Sequence, residues 1–406
     1  MAAAVVSRRI AATFVAVLLM SAAMVASAFA DAPADTPGSG KAKDPFSFRL
    51  GDAIRLALDA RMAVDVRGSG DSTDSDADTA RRRLGVDGSI GTRVDFAIER
   101  ELDGDHPWRD IYGDVRFQKS LRLRAGQFKL PFSLEETTGV KHLDFVARSL
   151  AATQLAPGRD VGVMAHGRVW RKRLEYEGGV FRRDGDGPSP RHPERTSGTG
   201  TTAGRVSIEP FASAKRSIGD LHLGFAATAS SLSEGISNLR GRTSVGERFF
   251  PATYWAAGRR QRTGIEARWR PGPFRVTAEY MRVTDQRRGQ ALDGSDLTPL
   301  TASGWYVAGV WRVPRAIGLG SHSRIELAGR VERLAFGSGG TSVMPLNPRA
   351  DRVVSAGDRA VTLGLNWWIT RYAKVLVNAV HERVRPAGSS LSTTTWAPVL
   401  SVQLGL

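Results

Sequence analysis

The chain ends in Leu400-Ser401-Val402-Gln403-Leu404-Gly405-Leu406, in which an apolar side chain takes every second position. A period of two is the geometry of a β-strand whose two faces meet different surroundings. Sixteen stretches of the 406-residue chain alternate in this way. A membrane barrel needs apolar residues facing lipid and polar residues facing a wet lumen, and its sheet must close because lipid cannot pair a free strand edge. The pattern predicts an all-β fold, a 16-stranded antiparallel transmembrane β-barrel.

The predicted strands follow one another over most of the chain, the first at 55–66. The others are predicted at 81–90, 92–101, 109–118, 120–128, 160–170, 173–182, 203–211, 218–230, 262–270, 273–284, 302–313, 321–336, 357–369, 373–385 and 395–406. Successive side chains of a strand point to opposite faces, so the parity of a residue's position along its strand assigns it to the lipid or the lumen face. Ile265, Ala267 and Trp269 are predicted to meet lipid, whereas Glu266 and Arg268 face the lumen.

The connections between these strands are predicted to be short and long in strict alternation. Tight turns are expected near Gly91 and Ser120, and the long connections are rich in Gly, Ser, Asp and Pro. The long ones are 67–80, 102–108, 129–159, 183–202, 231–261, 285–301, 337–356 and 386–394. Short inner turns and long outer loops are typical of outer-membrane barrels, whereas a sandwich of two soluble sheets would not explain the alternation.

The third long connection, 129–159, is too long for an ordinary hairpin loop and is predicted to contain structure of its own. Ser133 and Glu136 have the spacing of a helix capping box, and Asp144 is a candidate cap for a helix over 145–155. A short helix in this connection would fill part of an open lumen.

The N-terminus reads as an export signal. Arg8 and Arg9 precede an apolar run, and Ala28-Phe29-Ala30 is typical of a cleavage site. We therefore divide the chain into a signal peptide (1–30), a periplasmic lead-in (31–54) and the barrel (55–406). The alternative is a retained anchor, although the apolar run is short for a membrane span. The chain has no cysteine, which excludes a disulfide scaffold.

The chain carries 57 Lys and Arg against 41 Asp and Glu, a formal net charge of +16. A basic excess can indicate a nucleic-acid partner, but an exported chain without a nucleic-acid motif is not expected to have one. A positive lumen would attract anions. Parity places candidate anion-binding cations on the lumen wall: Arg93, Arg116, Arg122, Arg124 and Arg168. The alternative is a structural charge network with Asp95, Asp114, Glu175 and Glu177.

The seven histidines show no paired spacing, so neither a metal nor another cofactor is expected. His166 has lumen parity, but no serine motif accompanies it, and we expect no enzymatic activity.

A stretch around the third long connection resembles a known family. It reads Leu121-Arg-Leu-Arg-Ala-Gly-Gln-Phe-Lys-Leu-Pro-Phe-Ser-Leu-Glu-Glu-Thr137, followed by Phe145-Val-Ala-Arg-Ser-Leu150 and Ala156-Pro-Gly-Arg-Asp-Val-Gly162. Arg81-Arg-Arg-Leu-Gly85 and Phe46-Ser-Phe-Arg-Leu-Gly51 are also similar to the opening of that family. This sequence resembles the phosphate-selective porin O and P family of Gram-negative outer membranes.

The resemblance implies homotrimers of sixteen-stranded barrels in the outer membrane, with the third outer loop folded into the lumen as a constriction. It also implies that Lys141 and Arg148 form a basic anion-binding pair in that loop. Phosphate-specific members carry a further lysine where this chain has Glu136, and a carboxylate there would repel a divalent anion.

The expected function is passive diffusion of small hydrophilic solutes with a preference for anions such as phosphate. The expected partners are such anions, outer-membrane lipid and two further copies of the chain. A general diffusion porin with balanced charges is the alternative. A structural or adhesive barrel without transport is an alternative of another class.

Overall fold

The computed structural model describes residues 46–51, 53–68, 75–102, 107–185, 196, 198–211, 219–237, 239, 241–244, 246, 248–250, 254–314, 323–337 and 354–405. The predicted signal peptide (1–30) and most of the predicted lead-in lie outside these residues. No helix among the described residues is long and apolar enough to cross a membrane.

Sixteen strands of the described residues form the barrel wall. They are β2 (Ile54–Gly68), β3 (Ser75–Ile90), β4 (Val94–Glu101), β5 (Trp108–Gln118), β6 (Leu121–Lys129), β7 (Arg159–Val169), β8 (Leu174–Arg183), β9 (Gly198–Ile208), β10 (Asp220–Ile236), β13 (Trp255–Arg270), β14 (Phe274–Arg287), β15 (Leu297–Arg312), β16 (Arg324–Gly337), β17 (Ala356–Trp368), β18 (Ala373–Arg385) and β19 (Thr393–Gly405). Three short strands lie outside this ring: β1 (Ser47–Leu50), β11 (Gly241–Arg242) and β12 (Arg248–Phe250).

Each wall strand pairs antiparallel with the next, and the ring closes where the last strand meets the first. Val399–Gly405 of β19 pair with Arg67–Arg61 of β2. β19 pairs only with Arg61–Arg67 of β2. The lead-in strand β1 pairs with Ile54–Ala57 of β2, the part of the strand that β19 does not cover. The predicted closed antiparallel barrel of sixteen strands is confirmed.

Burial alternates along the strands as the predicted parity requires. On β13, Ile265 and Trp269 are 57% and 44% exposed on the outer surface, whereas Glu266 is 5% exposed. On β16, Val331 is exposed while the flanking Arg330 and Glu332 are buried. The polar face of the wall is therefore the inner one. A one-residue slip would turn these charges toward lipid, which fixes the register.

All sixteen predicted strands are present, but several are longer than predicted at the end that carries the long connection. β3 begins at Ser75, and the pairing of β10 with β13 runs out to Ile236 and Trp255. The predicted loop at 231–261 is therefore wrong in extent, and it also contains the hairpin of β11 and β12. The extensions carry few apolar side chains, so they lack the alternation from which strands were predicted.

Candidate functional site

The connection between β6 and β7 contains three short helical segments. These are α1 (Leu134–Thr137), a 3₁₀ turn (Val140–His142) and α2 (Leu150–Leu155). The hydroxyl of Ser133 accepts a hydrogen bond from the Glu136 amide at 3.1 Å, which confirms the predicted N-cap. Asp144 does not cap a helix as predicted. Instead, Ser149 caps α2, accepting from the Ala152 amide at 3.1 Å.

The segment is bonded to inward-facing side chains of strands on the far side of the ring. Glu279 of β14 accepts from the amides of Leu134 and Glu135 at 2.9 and 2.7 Å, and Glu332 of β16 accepts from the Leu150 amide at 2.6 Å. Carboxylates at these positions satisfy the free amides of the first helical turns. The same wall supplies further bonds: Asn378 to the Val146 amide, and Arg330, Asn366 and Lys374 to the carbonyls of Ala147, Asp144 and Leu143.

Apolar contacts reinforce this attachment. Leu150, Ala151 and Leu155 of α2 are at most 4% exposed and pack in one cluster with inward-facing wall residues. The wall residues include Met281, Val283, Leu300, Leu334 and Leu376. Inward apolar side chains are unusual in a wet barrel, and here the helix covers them. The segment is therefore held against β14–β18.

Asp144 and His142 lie in this segment, outside the strands. Asp144 forms an ion pair with Arg275 of β14, and burial raises the pKa of its carboxyl. Burial lowers the pKa of His142, and the nearby Lys141 and Lys374 lower it further. The imidazole is therefore neutral at pH 7 and adds no charge to the lumen.

A cavity of 610 Å³ lies between the segment and the wall of β2–β8. Its lining is charged and mixed in sign. The cations are Arg61, Arg81, Arg83, Arg109, Arg124, Lys129, Arg148 and Arg159, and the acids are Asp59, Asp87, Glu99, Asp110, Glu136 and Glu177. Most of these charges are paired: Arg159 contacts Asp110 at 2.8 Å, and Arg83 contacts Glu99 at 3.1 Å.

A second cavity, of 240 Å³, adjoins the first and has a lining of one sign. It lies between the 3₁₀ turn, the inner ends of β17–β19 and the middle of β2 and β3. The two cavities share Arg61, Arg81, Arg83 and Val140. The second has six Lys and Arg side chains and no Asp or Glu among its lining residues. The six are Arg61, Arg81, Arg83, Lys141, Arg371 and Lys374. We call it the cationic cavity.

The two predicted loop cations have different surroundings. Lys141 is exposed, lines the cationic cavity and has no side-chain hydrogen bond or ion pair with a described residue. Arg148 lines the larger cavity but is held within the segment. Its guanidinium donates to the carbonyls of Glu135 and Thr138 at 2.6 and 3.0 Å and contacts Glu136 at 2.9 Å. Arg148 therefore stabilises the conformation of the segment and also lines the larger cavity.

Glu136 is paired on two sides, with Arg148 and with Lys129 at 3.5 Å. The repulsion of a divalent anion that its carboxylate was expected to cause is therefore offset by these two cations.

Four of the predicted wall cations form ion pairs with acidic residues, which is the structural charge network given above as the alternative to anion binding. Arg122 contacts Asp95 and Asp114, Arg124 contacts Asp114 at 2.9 Å, and Arg116 lies 3.8 Å from Asp95. His166 also bonds to Asp114, at 2.9 Å. Arg168 contacts Glu175 at 2.8 Å. Of the predicted wall cations, only Arg124 lines either of the two cavities.

Arg93 differs from its predicted place. It lies exposed in the turn before β4, which begins at Val94, rather than on the strand wall. The prediction began the strand too early, because Arg93 stands two residues before the polar Asp95 and so fits the alternation of the strand.

Sequence reasoning missed most cations of the cationic cavity. The side chain of Arg81 makes no hydrogen bond or close ion pair with another described residue, although it borders both cavities. The sequence did contain evidence for them. Arg81 and Arg83 alternate with the apolar Leu84 and Val86, so they are expected on the lumen face of β3. Lys374 reaches the carbonyl of Leu143 at 2.7 Å and stacks over Trp368.

Comparisons with known proteins identify the family and the fold. The profile of the family described as phosphate-selective porin O and P matches residues 56–404, which is nearly the whole barrel. The chain belongs to the phosphate-selective porin O and P family. As a porin of this family it forms a channel in the outer membrane of a Gram-negative bacterium. No curated protein matches its sequence at a significant level.

Solved structures similar to this porin share its fold at low sequence identity. The anion-selective porin from Comamonas acidovorans is 10% identical with a TM-score of 0.56, over 87% of this chain and 100% of that one. The outer membrane channel DcaP of Acinetobacter baumannii is 12% identical with a TM-score of 0.57, over 88% and 99%. The trimer form of OmpT of Vibrio cholerae is 11% identical with a TM-score of 0.54, over 87% and 100%.

Proposed function

We propose that this porin admits small hydrophilic solutes by passive diffusion and favours anions, in particular oxyanions such as phosphate. The observation that carries the proposal is the cationic cavity, with six Lys and Arg side chains and no carboxylate among its lining residues. In a narrow wet passage such a lining raises the local concentration of anions. Passage involves no chemical change of the solute.

Arg81 and Lys141 are the cations most available to a passing ion. Neither side chain makes a hydrogen bond or a close ion pair with a described residue, and both line the cationic cavity. The other cations are partly occupied: Arg83 contacts Glu99 and Glu101, and Lys374 donates to loop carbonyls. Charge-assisted hydrogen bonds from two such groups would replace part of the hydration shell of an oxyanion. Binding at this site would remain weak enough for release, as conduction requires.

The segment 130–158 is the proposed constriction. It is bonded to β14 through Glu279 and to β18 through Lys374 and Asn378, which leaves the passage on the side of β2–β8. An anion would then meet the mixed lining of the larger cavity before the cationic cavity. The paired charges of the larger cavity would orient the solute without trapping it.

A homotrimer in outer-membrane lipid is the proposed assembly. The OmpT structure of Vibrio cholerae, which has the same fold, is described as a trimer form. The exposed apolar face of strands such as β16 and β17 supports contact with lipid, since Leu327, Val331 and Leu363 are 42%, 48% and 62% exposed.

A general diffusion porin is the second candidate. The ion pairs of the larger cavity favour it, because Arg159 with Asp110 and Arg148 with Glu136 cancel much of the local charge. The two candidates differ in whether the cationic cavity holds an oxyanion during passage.

Phosphate is expected to block the chloride current through single channels of this porin in planar bilayers. Arg81→Gln with Lys141→Gln is expected to raise the half-blocking phosphate concentration several-fold, because two cationic donors are lost from the cationic cavity. The matched control is Arg171→Gln with Lys172→Gln, which removes two exposed cations from the turn after β7.

The control is expected to keep the wild-type half-blocking concentration. Equal block in wild type and in the Arg81/Lys141 variant would contradict the oxyanion site. A wild-type channel that phosphate does not block at all would favour general diffusion.

A further inference from the structure

Four arginines form a compact group on the outer surface of the barrel. Arg333 of β16 pairs in register with Arg359 of β17, and Arg359 pairs with Arg383 of β18. Arg385 follows two residues later on β18, on the same face. Because neighbouring strands lie about 4.8 Å apart, three guanidinium side chains start from adjacent points of one row. We call this group the arginine row.

The row faces away from the lumen. All four side chains are exposed, and each has the parity of apolar residues that point outward: Val331 on β16, Val361 on β17 and Val377 on β18. These valines are 48%, 41% and 39% exposed. The row lies at the end of the strands that carries the long connections, just beyond this apolar belt.

The acidic residues of the same strands all lie on the other face. Glu326, Glu332, Asp358 and Glu382 are at most 3% exposed and point inward. None of the four guanidinium groups has a hydrogen bond or ion pair with a described residue. Like charges directly opposite each other in a sheet are destabilising, so a row that is unpaired among the described residues is stabilised when it binds an anion.

The row also borders a cavity. A surface depression of 220 Å³ is lined by the four arginines and, from the connection before β19, by Ser392. Leu334, Ala335, Gly357 and Asp358 of β16 and β17 complete its lining, although the Asp358 side chain is buried on the inner face. Guanidinium groups present forked donors that match the oxygens of a phosphate group. Trp305, which pairs with Arg333 in register, is 36% exposed beside the row. An aromatic residue next to basic side chains is typical of the membrane interface.

We propose that the arginine row binds the phosphate groups of a phosphorylated glycolipid in the outer leaflet of the membrane. The apolar belt directly below, with Val331, Leu363 and Val377, would contact the acyl chains of the same molecule. This continuity of a phosphate site with an apolar surface favours a lipid over a free ion. The lipid would neutralise the row and anchor the channel on this side.

The test is lipid binding by the purified, detergent-solubilised porin. The probes are bisphosphorylated lipid A, chemically dephosphorylated lipid A and inorganic phosphate. We compare wild type with Arg333→Gln/Arg359→Gln/Arg383→Gln. The matched control removes three cations from the opposite end of the barrel, in the exposed turns: Lys119→Gln/Arg171→Gln/Lys172→Gln.

Wild type and control are expected to bind lipid A at least tenfold more tightly than the Arg333/Arg359/Arg383 variant does. Both are expected to bind dephosphorylated lipid A only as weakly as that variant binds lipid A. Inorganic phosphate is expected to compete only at much higher concentration. Equal binding of lipid A by wild type and that variant, with both folded, would overturn the proposal. Competition by phosphate at the same concentration as lipid A would overturn the lipid as ligand. A variant that loses only its oligomeric state would assign the face to a subunit contact.

Discussion

Removal of Val399–Leu406 is expected to abolish the folded barrel. Val399–Gly405 supply the pairing with Arg61–Arg67 that closes the ring, and they also pair with the first half of β18. Without them two strand edges would face lipid, where each unsatisfied backbone group costs several kcal/mol. Several such groups exceed the about 5–15 kcal/mol by which proteins are typically stable. The measurement is electrophoretic mobility with and without heating, together with the β-sheet circular dichroism signal.

The control deletion is Ala291–Gly294, in the connection between β14 and β15. The Ala291 amide donates to the carbonyl of Ser295, so the ends of this short turn already lie close together. This variant is expected to keep the heat-modifiable mobility of wild type. A chain without Val399–Leu406 that still shows that mobility would mean that the ring closes by another pairing.

Excision of Leu134–Leu155, with a short Gly-Ser linker in its place, is expected to raise single-channel conductance several-fold. The segment would no longer occupy the lumen against β14–β18, and Lys141 would be lost from the cationic cavity. Thermal stability is also expected to fall. Met281, Val283, Leu300 and Leu334, which are at most 1% exposed, would then face water.

The same linker replacing Ala291–Gly294 is the control, since that turn lines neither cavity. It is expected to leave the conductance unchanged. If the Leu134–Leu155 excision also leaves conductance unchanged while the channel remains folded, the segment is not the constriction.

The barrel could be predicted from the sequence because each strand carries its own evidence. Parity alone predicts the faces on which Ile265, Glu266 and Trp269 lie, and the structure confirms these three assignments. The predicted strand ends were less accurate where the outer parts of β10 and β13 hold their pairing with few apolar residues. Ser133 was predicted correctly as a cap because its bond to Glu136 is local.

The candidate site could not be predicted as well, since it depends on contacts between distant parts of the chain. Arg148 was expected to face a passing ion, yet its guanidinium is bound to Glu136 and to two carbonyls of its own segment. Arg81 became important only because the 3₁₀ turn carries Lys141 to the same cavity. Parity identifies an inward side chain, but it does not show which carboxylate reaches that side chain. Arg122 and Arg124, both held by Asp114, illustrate this limit.

The zero-current potential of the wild-type channel in a steep KCl gradient tests the central claim, that the cationic cavity sets a preference for anions. The potential is expected to have the sign of a channel more permeable to chloride than to potassium, and to shift toward zero in the Arg81→Gln/Lys141→Gln variant. A wild-type potential near zero, or one with the sign of a cation-preferring channel, would contradict the account.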